Sequence, residues 1–83
     1  MIFYVYIIRS LKDKSYYIGY TANLENRVWE HNFGSTRYTS HKRPWELVYS
    51  EEFENKRDAL KRERFLKKQK NRAFYQRLID NSR

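Results

Sequence analysis

The chain has 83 residues, which is enough for one domain and too few for two. Its 18 Lys and Arg residues against 10 Asp and Glu give a net charge of +8. Such a charge indicates a polyanionic partner, with nucleic acid first and an anionic membrane surface second, although plain solubility also explains it. The absence of Cys excludes a disulfide framework and a thiolate zinc site, and it suits the cytoplasm, where we expect the protein to reside.

The N-terminal part of the sequence predicts a β-hairpin. Residues Ile2 to Ile8 are apolar or aromatic on both faces of an extended strand, which is typical of a central, covered strand. The run is too short to span a membrane and lacks the features of a signal peptide. A turn at Lys12 to Lys14 leads into a second predicted strand from Tyr16 to Tyr20, so we expect the two strands to pair antiparallel.

The remainder predicts three helices and one further strand. Asn23, with Thr21 as the rival, is the expected N-cap of the first helix, and Gly34 is its expected end. A basic loop over residues 35–45 follows that helix. The predicted elements after the hairpin are a helix to about Asn32, a strand from Glu46 to Phe53 with Leu47, Tyr49 and Phe53 on one side, a helix from Lys56 to Lys68 capped by Asn55, and a helix from Arg72 to Asp80.

This order of elements predicts the fold class. Strand, strand, helix, strand, helix and helix indicate an α+β domain with a small three-stranded antiparallel sheet flanked by helices. We expect residues 1–83 to form a single domain.

Glu63 is the most informative position in the sequence. It lies in the middle of the inward arc that Ala59, Leu60 and Leu66 define on the second long helix. A carboxylate in such a place needs a partner, because its desolvation is costly. A salt bridge to an arginine at the edge of the core is one explanation, and a bound divalent metal ion is the other.

Two further groups of residues are unusual. Arg27 and His31 are i and i+4 neighbours beside the apolar stripe of the first helix, where a snorkelling arginine and a half-buried histidine are the simpler interpretation. Tyr6, Tyr17 and Gly19 can share one face of the hairpin, where the simpler interpretation is an aromatic core. Together with Glu63, these types of side chain suit phosphodiester hydrolysis, which needs a base for water, a cation beside the phosphate and a metal ion.

Taken together, these residues resemble the pattern of the GIY-YIG nuclease superfamily. Tyr4-Val5-Tyr6 followed by Tyr17-Ile18-Gly19 is similar to the signature tripeptides, with Tyr4 where the family usually has Gly. The resemblance covers residues 3 to about 68, and residues 69–83 would be a C-terminal helical extension. Further similar segments, which point to the small standalone subfamily, are Thr21 to Arg27, Glu30 to Asn32, Arg37 to Thr39, Arg43 to Trp45, and Ala59-Leu60 before Glu63.

The resemblance implies a role for each residue of the site. Tyr6 and Tyr17 would position or activate the water, and Arg27 would stabilise the pentavalent phosphate. His31 would assist proton transfer. Glu63 would hold one Mg²⁺ or Mn²⁺ ion. Gly19 would keep the turn open.

The function expected from the resemblance is metal-dependent phosphodiester hydrolysis of nucleic acid. DNA is favoured over RNA, an endonuclease role in repair or recombination is favoured, and a protein partner would supply specificity. One alternative is a non-catalytic nucleic-acid-binding module of the same fold. Another is an interaction protein whose basic helix binds an acidic partner or ribosomal RNA. The cations that could contact phosphates, if they are not simply solvated, are a helix stripe of Arg57, Lys61, Arg64 and Lys68 and the loop residues Arg37, Lys42 and Arg43.

Overall fold

A three-stranded antiparallel sheet with helices on both faces forms the fold, which confirms the predicted α+β class. The computed structural model describes residues 1–34 and 36–82. Ser35 and Arg83, the first residue of the predicted loop and the last of the predicted extension, lie outside the described residues. The elements in chain order are β1 (Phe3–Ser10), β2 (Tyr16–Thr21), α1 (Leu24–Phe33), α2 (Arg37–Ser40), β3 (Trp45–Phe53), α3 (Lys56–Gln69) and α4 (Arg72–Asn81).

Strand β1 lies in the centre of the sheet, as its apolar sequence predicted. It pairs antiparallel with β2 on one side and with β3 on the other, so the strand order is β2-β1-β3. Because successive side chains of a strand point to opposite faces, Val5 and Ile7 face one helical layer while Tyr6 and Ile8 face the other. Both faces of the strand are therefore buried.

The pairing register of the hairpin places the two candidate tyrosines on the same face. Tyr6 lies opposite Gly19 and Ile8 lies opposite Tyr17. Directly opposed residues of an antiparallel pair point to the same side of the sheet, so Tyr17 and Gly19 lie on the same face of the sheet as Tyr6.

The two faces of the sheet bury different clusters. Helices α3 and α4 cover the first face, where the buried residues are Val5, Ile7, Ile18, Ala59, Leu66 and Tyr75. Helix α1 covers the second face, where Leu24 and Val28 pack against Tyr6, Ile8, Trp45 and Tyr17. Among the described helices, none combines the length and the apolar character that a membrane span requires.

Strand β3 differs from the prediction in the orientation of one residue. Tyr49 lies opposite Ile7, but Leu47 lies opposite Ile8, and Val48 is the extra residue of a bulge between them. A bulge adds one residue to one strand and thereby reverses the faces beyond it. Leu47 therefore lies on the α1 face and is 42% exposed, whereas Tyr49 and Phe53 pack on the α3 face. The expectation that all three share one side was wrong for Leu47.

The predicted basic loop contains a short helix. Residues Arg37–Ser40 form the single helical turn α2, so the order of elements is β-β-α-α-β-α-α. A four-residue turn is too short to carry a hydrophobic periodicity, and for this reason the sequence pattern did not predict it. Thr39 in this turn is fully buried.

Asparagine side chains cap helices α1 and α3 at their N-termini. Asn23 accepts a hydrogen bond from the Asn26 N–H at 3.1 Å, so Asn23 is the cap of α1. The predicted rival, Thr21, instead accepts a hydrogen bond from the backbone N–H of Asn23. Asn55 accepts a hydrogen bond from the Asp58 N–H at 2.9 Å and caps α3. The caps satisfy backbone donors that a helix N-terminus otherwise leaves free.

The cap of α3 can be tested by substitution. Asn55→Ala should lower the free energy of unfolding by about 1 kcal/mol, because the first turn of α3 loses its acceptor. Asn55→Ser keeps an acceptor oxygen and should recover most of that loss. Urea unfolding of the three proteins measures both differences, and equal stability of the alanine and serine variants would contradict the capping role.

Candidate active site

Tyr6 lies at the centre of the candidate site. Its side chain is buried, and its ring crosses the sheet directly above Gly19 on the neighbouring strand. A Cβ atom at position 19 would lie 2.5 Å from the Tyr6 hydroxyl oxygen and 2.8 Å from Cζ. Position 19 lies within β2, so the implied role of keeping a turn open was wrong, and glycine is required there because of this close approach.

His31, on the helix α1 that covers this face of the sheet, forms a hydrogen bond with the Tyr6 hydroxyl. The Tyr6 Oη and His31 Nε2 atoms are 2.8 Å apart, and His31 Nδ1 lies 3.0 Å from the Thr39 hydroxyl oxygen. All three side chains are buried. The result is a continuous hydrogen-bonded chain from β1 through α1 to α2.

Burial shifts the titration of both ring groups. Desolvation raises the pKa of Tyr6 to about 12, and Arg27 opposes this shift while Tyr17 and Glu63 add to it. Desolvation together with the positive charge of Arg27 lowers the pKa of His31 to about 4. At neutral pH the phenol is therefore protonated and the imidazole is neutral. The tautomer of His31 sets the direction of both hydrogen bonds: with the proton on Nδ1, this N–H donates to the Thr39 hydroxyl and the Tyr6 hydroxyl donates to Nε2.

Tyr17 completes an aromatic group around His31. Its ring centroid lies 5.0 Å from that of His31 and 6.4 Å from that of Trp45. Trp45 is itself fixed, because its indole N–H donates to the Thr39 carbonyl at 2.8 Å and its backbone N–H donates to Asn32 Oδ1 at 2.6 Å. Tyr17 is only partly buried, so it forms the boundary between this group and solvent.

Arg27 lies at the rim of the site. Its guanidinium Nη1 pairs with Glu30 Oε1 at 3.0 Å, one turn along α1. Its positive charge opposes the rise in the pKa of Tyr6 and contributes to the lowered pKa of His31. The side chain is partly exposed, so it remains accessible to an anion in solvent.

Glu63 approaches from the other side of the sheet. Its side chain is only 13% exposed, and Lys67 Nζ lies 3.4 Å from its Oε2. The negative charge of Glu63 is the smallest of the causes that raise the pKa of Tyr6, after burial and Tyr17. The observed partner of Glu63 is thus a lysine on the next turn of α3, where the sequence had suggested an arginine or a metal ion.

The donor set limits which ion Glu63 could hold. Residues 1–34 and 36–82 contain no group of three or more His, Asp or Glu side chains that could enclose a metal ion. A single carboxylate suits Mg²⁺, which commonly keeps several waters and uses substrate phosphate oxygens as further ligands. Lys67 is 52% exposed and can swing into solvent, whereas Glu63 is largely buried and would need another cation in place of Lys67.

The loop cations are engaged by the protein itself. Lys42 Nζ lies 3.3 Å from Asp13 Oδ2, and it also donates to the Ser15 hydroxyl. The Arg43 guanidinium donates to the backbone carbonyls of His31, at 2.8 Å, and of Gly34. These contacts fasten the loop to the hairpin turn and to the end of α1.

The remaining candidate cations are exposed. Arg37 in α2 is exposed, and so is the stripe on α3. The stripe consists of Arg57, Lys61, Arg64 and Lys68. Within the described part of the chain, none of these four residues forms an ion pair.

Three positions that matter in this arrangement were missed as site residues. Thr39 orients His31, Trp45 supports Tyr17, and Lys67 pairs with Glu63. Thr39 and Trp45 belong to segments that already resembled the family, which was the only signal for them. Lys67 follows Glu63 at i+4, a spacing that brings opposite charges together on a helix.

The sheet with its two helical layers is a small α+β domain, and the candidate site residues are tyrosines, an arginine, a histidine and a glutamate. Residues 2–77 match the sequence model of the GIY-YIG catalytic domain. The chain therefore belongs to the GIY-YIG catalytic domain family, a family of nucleases.

The chain is also similar to individual proteins. A UPF0213 protein of Clostridium perfringens is 52% identical over 66 residues, which cover 78% of this chain and 70% of the relative. A UPF0213 protein of Pediococcus acidilactici is 42% identical over 82 residues, covering 95% and 83% of the two chains. The solution NMR structure of a UPF0213 protein from Bacillus halodurans has a TM-score of 0.57 at 33% identity, covering 96% of this chain and 84% of that one.

The lowered pKa of His31 predicts a pH dependence of stability. Between pH 6.5 and about 4 the unfolded chain binds a proton at this histidine and the folded chain does not. The free energy of unfolding should therefore fall as the pH is lowered through this range, by up to about 3 kcal/mol. His31→Gln removes the titrating group and should flatten this part of the profile.

Chemical unfolding at half-unit intervals between pH 4.5 and 7.5 measures the effect. The matched control is His41→Gln, which removes the exposed second histidine and should keep the wild-type slope. Identical slopes for wild type and His31→Gln would rule out a depressed pKa at His31.

Proposed function

We propose that this protein is a divalent-metal-dependent endonuclease that hydrolyses phosphodiester bonds of nucleic acid. DNA is the favoured substrate, and repair or recombination is the favoured setting. The proposal treats residues 1–83 as one nuclease domain. A cytoplasmic location is part of the proposal and rests on the absence of Cys from the sequence.

One observation carries the proposal. The Tyr6–His31 hydrogen bond, at 2.8 Å, lies within the electrostatic reach of both Arg27 and Glu63. A proton acceptor, a fixed cation and a carboxylate thus act on the same few atoms. Perturbed titratable groups that converge in this way are typical of functional sites.

The hydrogen-bonded pair offers a route for the proton of the attacking water. As the water oxygen bonds to phosphorus, its proton would pass to Tyr6 Oη while the phenolic proton of Tyr6 passes to Nε2 of His31. Because His31 is neutral at physiological pH, Nε2 has a lone pair for that proton; its lowered pKa makes it a weak base, so the negative charge of the bound phosphate would have to strengthen it during the transfer. Tyr17, at the solvent boundary, would orient the water.

The remaining residues would stabilise charge. Arg27 would contact the phosphate oxygens, where negative charge builds up as the bond to the leaving oxygen breaks. Glu63 would hold one Mg²⁺ or Mn²⁺ ion, with Lys67 released from its ion pair. The bound cation would supply charge stabilisation for the leaving oxygen.

The substrate would lie across the exposed cations of α3. The stripe from Arg57 to Lys68 is exposed, whereas Lys42 and Arg43 are engaged by the protein. Lysine and arginine that are free of protein partners are the ones that release counterions from phosphates on binding. A protein partner that supplies substrate specificity remains part of the proposal.

Substitution of Glu63 tests the metal-dependent activity. Glu63→Gln should reduce single-turnover cleavage by roughly 10²–10³-fold, while binding holds or tightens because a negative charge is lost. The substrates should be plasmid, branched and single-stranded DNA and RNA, each with and without Mg²⁺ or Mn²⁺. The matched control is Glu54→Gln, an exposed carboxylate between β3 and α3, which should cleave at the wild-type rate.

Each failure in this experiment has a distinct meaning. Full cleavage by Glu63→Gln would remove Glu63 from the metal site. Salt-dependent binding by the wild type with no cleavage of any substrate would contradict the enzyme and support the non-catalytic binding module.

The cation stripe of α3 predicts a change in salt dependence. Arg64→Ala should weaken binding similarly for all sequences and lower the slope of log K against log salt by roughly one unit, since one phosphate contact is lost. Arg77→Ala on α4 removes one exposed arginine outside the stripe and should leave the slope unchanged. Fluorescence anisotropy titrations across a salt series measure both, and equal slopes for the two variants would mean that the stripe is merely solvated.

A further inference from the structure

A cleft of about 380 Å³ lies beside Tyr17 at the edge of the sheet. Tyr16, Tyr17, Tyr38 and Tyr75 line it together with Ile18 and Lys67. Its volume falls within the roughly 300–1,000 Å³ typical of small-ligand sites. The cleft is rich in aromatic rings, and its lining includes one cation, the lysine that also pairs with Glu63.

Aromatic contacts lead from the core to the surface. The centroids of Trp45 and Tyr17 lie 6.4 Å apart in an edge-on contact at 66°, and those of Tyr17 and Tyr38 lie 5.9 Å apart in a tilted contact at 41°. Trp45 is buried, Tyr17 is partly buried, and Tyr38 is 66% exposed. The outermost ring, Tyr38, is therefore accessible to a further planar group.

The backbone holds Tyr38 in place although its ring is exposed. Its neighbour Thr39 is fully buried, with the hydroxyl at hydrogen-bond distance from His31 and the carbonyl accepting from the Trp45 indole. The backbone at Tyr38 is thus held by the hydrogen-bonded chain that also contains Tyr6, and the Tyr38 ring contacts that of Tyr17. A fixed backbone reduces the conformational freedom that is lost when a ligand stacks on the ring.

We propose that this cleft is a subsite for one unpaired nucleobase next to the scissile phosphate, with the base stacked on Tyr38 and Lys67 close to the adjoining phosphate. Stacking on tyrosine beside a cation is how proteins hold single-stranded nucleic acid. A base inside a continuous duplex already has neighbours on both faces and cannot offer one to Tyr38. The subsite therefore favours substrates with an unpaired nucleotide over fully paired duplex.

Lys67 connects the subsite to Glu63. In the free protein its ammonium group pairs with the carboxylate, and it also lines the cleft. A phosphate that enters the cleft offers this ammonium a second anionic partner. Occupation of the subsite would thereby free Glu63 at the moment when substrate is present. This inference rests on the proposed nuclease function only for the position of the scissile phosphate.

Two DNA substrates of the same sequence test the subsite. One is fully paired, and the other carries a single-stranded extension with 2-aminopurine at its first unpaired position. Binding is measured in the Glu63→Gln background and cleavage in the otherwise wild-type protein. Tyr38→Ala should weaken binding of the extended substrate about tenfold and abolish the quenching of 2-aminopurine that stacking produces, while binding of the paired duplex stays within about twofold.

Two control variants sharpen the comparison. Tyr38→Phe keeps the ring and should behave like the parent protein. Phe33→Ala removes an aromatic side chain of similar exposure, 70%, from the end of α1, where it packs on Trp29 outside the cleft, and should change neither substrate.

The outcomes separate this inference from the proposed function. Equal effects of Tyr38→Ala on both substrates, or unquenched 2-aminopurine with the parent protein, would overturn the subsite even if both substrates are cleaved. Quenching that depends on Tyr38, in a protein that cleaves neither substrate, would support the subsite and contradict the nuclease. A protein that binds neither substrate would overturn both.

Discussion

The hydrogen bond between Tyr6 and His31 is the interaction on which the site and half of the fold depend. It joins the central strand to α1, and through Thr39 it joins α1 to α2. Inside a protein an unpaired buried polar group is expensive, so each member of this chain requires the next. The phenol reaches its partner only because Gly19 presents no side chain beneath it. A change at any of these positions would therefore disturb stability and chemistry together.

One face of the sheet carries the larger apolar cluster and the other carries Tyr6 and His31 of the candidate site, and α3 contributes residues to both the cluster and the site. Its inward residues Ala59 and Leu66 are completely buried in the apolar cluster, which α4 closes with Tyr75. Tyr75 also donates its hydroxyl to the Leu66 carbonyl at 2.6 Å. Glu63, on the same helix, pairs with Lys67, and its charge contributes to the raised pKa of Tyr6. The position of the candidate metal ligand thus depends on apolar packing on the far side of the sheet, and a rigid element holds a site more accurately than a loop does.

The sequence correctly predicted the features that hydrophobic periodicity and residue spacing determine. The strands, the three long helices and the caps at Asn23 and Asn55 were all correct, because local patterns determine them. The bulge that turns Leu47 to the other face was missed, because it arises from the pairing of two strands and has no signature in either one. The site shows the same division. Its residue types could be selected from the sequence, but the neutral state of His31 and the support from Thr39 depend on tertiary burial.

The cations behind the net charge fall into two groups that composition alone cannot separate: those that pair within the protein and those that are exposed to solvent. Arg9 pairs with Glu46 across the sheet and Arg62 pairs with Glu51, while Lys42 and Arg43 fasten the loop. A cation that already has a protein partner exchanges one anionic contact for another when it meets a phosphate, so it releases fewer counterions than an unpaired cation. Only cations that exchange mobile counterions for phosphates contribute fully to the salt dependence of binding. The affinity of this domain for a polyanion would accordingly follow the exposed face of α3 rather than the net charge of +8.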